Sequence, residues 1–533
     1  MIFNLPHHKT ITFLFTIALH FALTNVAQAE LTLHPLFTDH AVLQQGQPVP
    51  VWGTAEAGDE IQLSFSGQQK NTRTQADGTW MIILDALSTS ADPRKLTISS
   101  GEDKLTIQDI LVGEVWLCAG QSNMARSMAG MADKKDVIED TKAGKFKNIR
   151  LFKVPLLGKN QSQTSVNTSW TPCSEESVNG FSGTGFYFGR ALHRDLKVPV
   201  GLIHANWGGT NASCWISKNT LENDPAAAYL LSAFKGRLAR YPEAKKTYNQ
   251  ALAEWEQKAK AAKQAGQDFE EKSPREPMGL EHPKQPAGFY NGMIAPLQPY
   301  TIAGVVWSQG ESNATNTTTA SNYKDLMLAL ISGWRSDWAK KVSNGKQRNF
   351  PFYQVQLPNF ADGHPEAWPI IREQMLQVWQ QGKNTGMVVT IDIGNPDDIH
   401  PQNKRIVGDR LSRFAQANTY GKKIPYCGPI YQNMQVHKSN ITLTFSHLDG
   451  GLISKDGQSL RHFTIAGQDK KFVPAQVQII NHTLVISSPQ IKNPRAVRYA
   501  WSNNPENPNF FNQAGLPASP FRTDSWPTFA QKK

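Results

Sequence analysis

The chain reads as an α/β protein: a parallel sheet flanked by helices, in the middle of the sequence, with a β-rich, sandwich-like domain on either side. Three observations predict this. From about Leu31 to Asp109, short alternating apolar runs follow one another between turns. The middle of the chain alternates β-type runs with helical stretches, as a parallel sheet covered on both faces requires. Beyond Cys427 the two-residue alternation returns.

Particular residues carry each element. The first β-rich part, residues 30–110, is marked by Val49 and Val51, by Ile61, Leu63 and Phe65, and by Trp80, Ile82 and Leu84 after an Asp77-Gly78 turn. Residues 111–427 form the central domain, with strands expected at Val200–His204, Ala303–Trp307, Pro351–Gln356 and Met387–Ile391. Phe181, Gly185, Phe188, Leu192 and Leu196 mark one face of a helix that precedes the first of these. Between about residues 221 and 288 the chain is rich in Ala, Lys, Glu and Gln, and Leu252, Trp255 and Ala259 have helical spacing. That stretch reads as a helical insertion, either a lid over the cleft or an inert surface pair. Asn313 to Thr319 reads as a polar loop. Residues 428–525 form the second β-rich part, marked by Ile441, Leu443 and Phe445, by Val477 and Ile479, and by Val497, Tyr499 and Trp501.

Residues 1–29 have the form of a secretory signal, with a polar start at His7, His8 and Lys9, a mostly apolar Ile11–Leu23 and a small-x-small Ala27-Gln28-Ala29. A mature chain beginning at Glu30 is expected in the periplasm or outside the cell, without stable membrane insertion. The net charge of +11 is spread along the sequence. With no basic stripe or recognised motif, nothing points to a nucleic-acid partner. Cys118, Cys173, Cys214 and Cys427 are too few for a disulfide framework and lack C-x-x-C spacing, although export permits a disulfide. No histidine spacing suggests a metal, and Gly183-x-Gly185-x-x-x-Gly189 fails the dinucleotide fingerprint by one residue. No cofactor is expected.

The chemistry concentrates at strand ends. The apolar run from Gly113 stops at Ala119-Gly120-Gln121-Ser122, which displays a serine hydroxyl clear of its backbone at a helix start. Gly304-Val305-Val306-Trp307-Ser308 empties into Gln309-Gly310-Glu311, and Ile391-Asp392-Ile393 into a loop carrying Asp397, Asp398 and His400. Ester hydrolysis needs a nucleophile, a base, a group orienting that base, and oxyanion donors. Each job has a candidate on one of these loops.

Four ordered segments, Gly113 to Met124, Val200 to Thr210, Gly304 to Ala314 and Asp397 to Pro401, resemble the SGNH-type serine esterases, specifically the sialate O-acetylesterase group of carbohydrate esterases. The tail segments Ala496 to Trp501 and Gly515 to Arg522 share the resemblance, which spans about residues 33 to 525. Met124 excludes the G-x-S-x-G elbow of the α/β-hydrolases. The resemblance implies an SGNH-like sheet and a serine esterase that removes O-acetyl groups from carbohydrate. Sialic acid is the substrate for which the group is named, and acetylated xylan is the alternative. A rival of another class is a non-catalytic carbohydrate-binding surface protein on the same scaffold.

The same resemblance implies Ser122 as nucleophile, His400 as base and Asp397 as the residue orienting it. Asp398, Glu311 and a backbone carbonyl remain open for that last role. The oxyanion donors expected are the Ser122 amide, Gly209 with Gly208 as the alternative, and Gln309 in place of the asparagine many SGNH enzymes use; Glu311 braces the loop or the base. Trp207, Trp215, Phe360 and Trp368 are candidates for stacking on a sugar or for core packing. Arg372 is a candidate for a sugar carboxylate or for a helix-surface ion pair.

Overall fold

The computed structural model describes Met1, residues 29–342 and residues 349–527. All of the expected signal except Met1 and Ala29 lies outside the described residues. A single strand organises the architecture. Strand β1 (Asp103–Gly120) is 18 residues long. Its first half pairs with Ser90–Ser100 inside the first β-rich part, and its second half becomes the middle strand of the central sheet. The burial of β1 changes accordingly, alternating at first and then continuous from Ile110 to Gly120.

The sheet adds β2 (Ile149–Lys153), β3 (Trp170–Pro172), β4 (Val200–Asn206), β5 (Gly304–Ser308), β6 (Phe352–Val355) and β7 (Thr385–Val388). Their spatial order is β3-β2-β4-β1-β5-β6-β7. Every pairing is parallel except that of β3, an antiparallel edge. Because chain order reverses at β1, the carboxyl ends of β4, β1 and β5 frame the topological switch point where open α/β sheets bind ligands. β7 starts and stops earlier than its sequence suggested, leaving Val389 and Ile391 buried in a loop instead of a strand.

The helices follow from local signals. One-turn α1 (Ser122–Ala125) leaves β1 directly. Helix α2 (Gly183–Leu196) is capped by Ser182, whose Oγ accepts from the Gly185 amide at 2.9 Å, an arrangement worth about 1 kcal/mol. A Cβ on Gly189 would stand 2.6 Å from Leu202, so glycine there lets α2 press onto β4; the glycine run is helix packing. The insertion carries α3 (Pro225–Ala239) and α4 (Tyr241–Gln264), and α4 buries none of its residues. Three more helices, α5 (Tyr323–Lys340), α6 (Ala367–Gln381) and α7 (Lys404–Asn418), cover the sheet. The expected loop at Asn313–Thr319 ends instead in a short helix, Thr317–Ser321, which Asn316 caps through its side chain. All four cysteines are free thiols.

In the last β-rich part, Phe445, Phe463, Tyr499, Phe510 and Phe521 pack edge-to-face and tilted at 4.6–6.4 Å. Arg372 ties that part to the sheet and serves neither role its sequence context suggested. It is fully buried on α6 and donates to the carbonyls of Leu357, Pro358, Ser502 and Asn503 at 2.6–2.9 Å. Trp215 and Trp368 are core residues as well, whereas Trp207 and Phe360 are half-buried. Replacing Arg372 by Leu leaves the Leu357 and Ser502 carbonyls without another donor among the described residues, whereas Pro358 O keeps Trp368 Nε1 and Asn503 O keeps the Phe360 amide, and charged hydrogen bonds contribute about 1.5–3 kcal/mol each. The Arg372→Leu variant should therefore lose at least ~3 kcal/mol in chemical denaturation.

Candidate active site

Three strand ends are drawn together by backbone. The Gln121 amide donates to the Ser308 carbonyl at 2.8 Å, and the Trp207 amide to the Gly120 carbonyl at 3.1 Å. Gly120 sits at φ +136°, and a Cβ there would lie 2.1 Å from the Ser308 oxygen, so no other residue fits. α1 is too short to satisfy its own carbonyls. The Ser182 hydroxyl donates to Met124 O at 2.6 Å, and the Thr184 hydroxyl to Asn123 O at 3.0 Å. Ser122 is thereby held half-buried at the strand end, with its amide engaged by no acceptor among the described residues.

The glycine loop after β4 arrives from one side. A Cβ on Gly208 would stand 3.4 Å from Ser122 Cβ, so this residue borders the serine directly. Gly209 follows at φ +64°, with its carbonyl accepting from Lys284 Nζ at 3.1 Å. Lys284 closes the insertion and pins this loop. Trp207 stacks on Phe289 with centroids 4.6 Å apart.

The histidine loop arrives from the other side. Arg410 on α7 anchors its base through two 2.7 Å hydrogen bonds to Asp392, a pair almost wholly buried. Losing one partner of such a pair costs about 3–5 kcal/mol. The tip of the loop brings Ile399 against the nucleophile turn, where the Asn123 side chain donates to Ile399 O at 3.1 Å. Ser122 and His400 are thus each one residue from a shared hydrogen bond.

The structure places Asp398, not Asp397, beside the imidazole. Asp398 Oδ1 lies 3.5 Å from His400 Nδ1 and accepts the His400 backbone N–H at 2.8 Å. The Asn395 side chain accepts the Asp397 amide at 2.9 Å, and Asp397 itself is exposed, with no side-chain bond to His400 among the described residues. A separation of 3.5 Å is long for a hydrogen bond, but such contacts often tighten only around substrate. Burial lowers the His400 pKa below its ordinary value, the Arg126 charge lowers it further, Asp398 opposes, and Lys404 adds to the lowering.

Gln309 is corrected as a donor. Its two amide hydrogens are already given to Thr210 O at 3.0 Å and Asn313 Oδ1 at 2.7 Å, and its oxygen accepts from the Tyr323 hydroxyl. Asn313 Oδ1 also accepts the Ala212 amide, while its Nδ2 makes no hydrogen bond among the described residues. Asn313 is therefore the amide of this loop left with hydrogens to donate. Glu311 is buried and accepts from Asn123 Nδ2, so it braces the nucleophile turn and not the imidazole. Burial raises its pKa.

Sequence reasoning missed Asn123 and Lys404. Lys404 Nζ donates to Asn123 Oδ1, and burial draws the lysine down to about 8. One signal existed: Lys404 begins the apolar stripe of α7 that Val407, Leu411 and Phe414 continue.

Fold and strand-end loops together define a hydrolase of the carbohydrate-esterase class. The family model described as carbohydrate esterase, sialic acid-specific acetylesterase, matches residues 112–265 and 281–416, more than half of the chain. The chain belongs to that family. Sialate O-acetylesterase of Rattus norvegicus is 27% identical, over 91% of this chain and 93% of the relative. The Homo sapiens sialate O-acetylesterase is 27% identical over 88% of each. A solved structure of a carbohydrate acetylesterase from Xanthomonas citri is 31% identical with a TM-score of 0.77, covering 93% of this chain and all of its own. The chain is accordingly a carboxylic ester hydrolase, and the family implies an acetylated carbohydrate as its substrate.

The histidine environment is directly measurable. In an NMR titration His400 should have a pKa below about 6.5. Asp398→Asn should lower it further, because the opposing carboxylate is gone, whereas Asp397→Asn should change it little.

Proposed function

We propose that this chain is an exported sialate O-acetylesterase that works through an acetyl-enzyme on Ser122. The observation that carries the reading is the Asn123-to-Ile399 hydrogen bond, which sets the nucleophile turn against the base loop. The Ser122 hydroxyl adds to the acetyl carbonyl while His400 takes its proton. The tetrahedral oxyanion is received by the Ser122 amide and the Gly208–Gly209 loop, with Gly209 the expected donor and Asn313 Nδ2 the side-chain donor in place of Gln309. Collapse breaks the bond to the sugar oxygen, which leaves with the proton from His400. Water then attacks the acetyl-enzyme with His400 again as base, releasing acetate and regenerating Ser122.

In this reading Asp398 orients the imidazole and stabilises its cation, the role sequence pattern alone gave to Asp397. Its proximity to Nδ1 supports the exchange. The sialic acid assignment draws on the mammalian relatives named as sialate O-acetylesterases. Export draws on the signal-like residues 1–29 and predicts a mature amino terminus at Glu30.

Ser122→Ala should reduce turnover of a chromogenic acetate ester by ~10⁶-fold, and turnover equal to wild type would end the nucleophile assignment. Asn313→Ala should cost ~10²–10³-fold in kcat, the usual effect of one lost oxyanion donor. Acetate release from 9-O-acetylated sialic acid should exceed that from acetylated xylan, and the reverse order would move the substrate to plant polysaccharide.

A further inference from the structure

Beneath the nucleophile turn lies a buried polar cluster, of which the hydrolytic reading uses only the bond from Asn123 to Ile399. Asn123 stands at its centre with both amide hydrogens and its amide oxygen engaged. Nδ2 donates to Glu311 Oε1 and to Ile399 O, and Oδ1 accepts from Lys404 Nζ. Each of the three side-chain partners is buried, with Asn123 5%, Glu311 7% and Lys404 3% exposed. The four groups come from four different segments: the turn after β1, the loop after β5, the histidine loop and the first residue of α7.

The cluster is not a ligand subsite. The adjoining cavity, lined among others by Asn123, Glu311, Gln356 and Lys404, has a volume of about 20 Å³. That is far below the ~300 Å³ or more of small-molecule pockets. Nor is it the cheapest way to fill the space. Burying a lysine and a carboxylate is generally no more stabilising than apolar side chains of similar size. An arrangement that stability does not require, placed one residue from both Ser122 and His400, has geometry as its function.

We propose that Asn123, held by Glu311 and Lys404, sets the separation and alignment of the Ser122 hydroxyl and the His400 imidazole, so that these three are positioning residues of the esterase. The proposal rests on the assignment of Ser122 and His400 above. The Lys404 ammonium has a second consequence. His400 is faced by Asp398 from its own loop, Arg126 from the nucleophile turn and Lys404 from α7. Removing the Lys404 cation leaves Asp398 opposed by burial and Arg126, and the imidazole holds its proton to higher pH.

The test uses the full chain with a chromogenic acetate ester, and rates are normalised to the fraction of folded protein measured by circular dichroism. Asn123→Leu should lower kcat ~10²-fold, the cost of roughly 1 Å of misplacement, with KM changed less than about twofold because no contact with substrate is lost. Lys404→Met should lower kcat and move the acid limb of the kcat profile to higher pH, and Lys404→Arg should restore the limb. If Asn123→Leu does not fold, Asn123→Asp decides on the same criterion, since it keeps the shape and the bond to Lys404 and loses the amide donation to both Glu311 and Ile399. Wild-type kcat in a folded Asn123 variant, or in folded Lys404→Met, overturns the proposal. Wild-type turnover in Ser122→Ala would instead remove the underlying assignment of the nucleophile.

Discussion

The close approach of β1 and β5 at Gly120 is the constraint on which the site depends. Where any other residue would place a Cβ, the Ser308 carbonyl lies 2.1 Å away. That contact lets the Gln121 amide reach Ser308 and turns the chain so that Ser122 leaves the sheet at the switch point. The Gly208–Gly209 loop depends on the same residue from the other side, through Trp207 and the Gly120 carbonyl. A single missing methyl group thus brings the ends of β4, β1 and β5 to one place.

Around this backbone junction the side chains divide into anchors and the two groups proposed to react. Ser182, Thr184, Arg410 and Lys284 each fix a loop by a bond made outside the reacting centre. Ser122 and His400 are left half-buried, with few bonds of their own. Catalytic geometry built this way is paid for by preorganisation in the surrounding shell, as precise chemistry on loops requires. The lowered pKa of His400 fits the same division, since burial and two nearby cations favour the neutral imidazole that the proposed general-base role requires.

Much of this was legible in the sequence. The change from alternating to continuous burial along β1, the parallel strands of the middle and the serine at a strand end all follow from local pattern. So does the histidine loop. Sequence pattern favoured Asp397 over Asp398, because the turn that brings Asp398 beside the imidazole, in which Asn395 takes the Asp397 amide, is not readable from spacing. It misplaced the donor at Gln309 because the partners that consume that amide, Thr210 and Asn313, are set by tertiary packing. Arg372 looked like a helix-surface residue because Ser502 and Asn503, which help bury it, lie some 130 positions away. Asn123 and Lys404 were hidden for a similar reason, lying 281 positions apart.

The central claim is that Ser122 is the hydroxyl activated by His400. It is tested most directly by covalent labelling with a fluorophosphonate followed by peptide mass spectrometry. A single adduct on the peptide containing Ser122, formed quickly by the wild type and at least ~10²-fold more slowly by folded His400→Gln, is the result expected of a nucleophile that depends on its general base. An adduct on another serine, or labelling of Ser122 at an undiminished rate in His400→Gln, would contradict it.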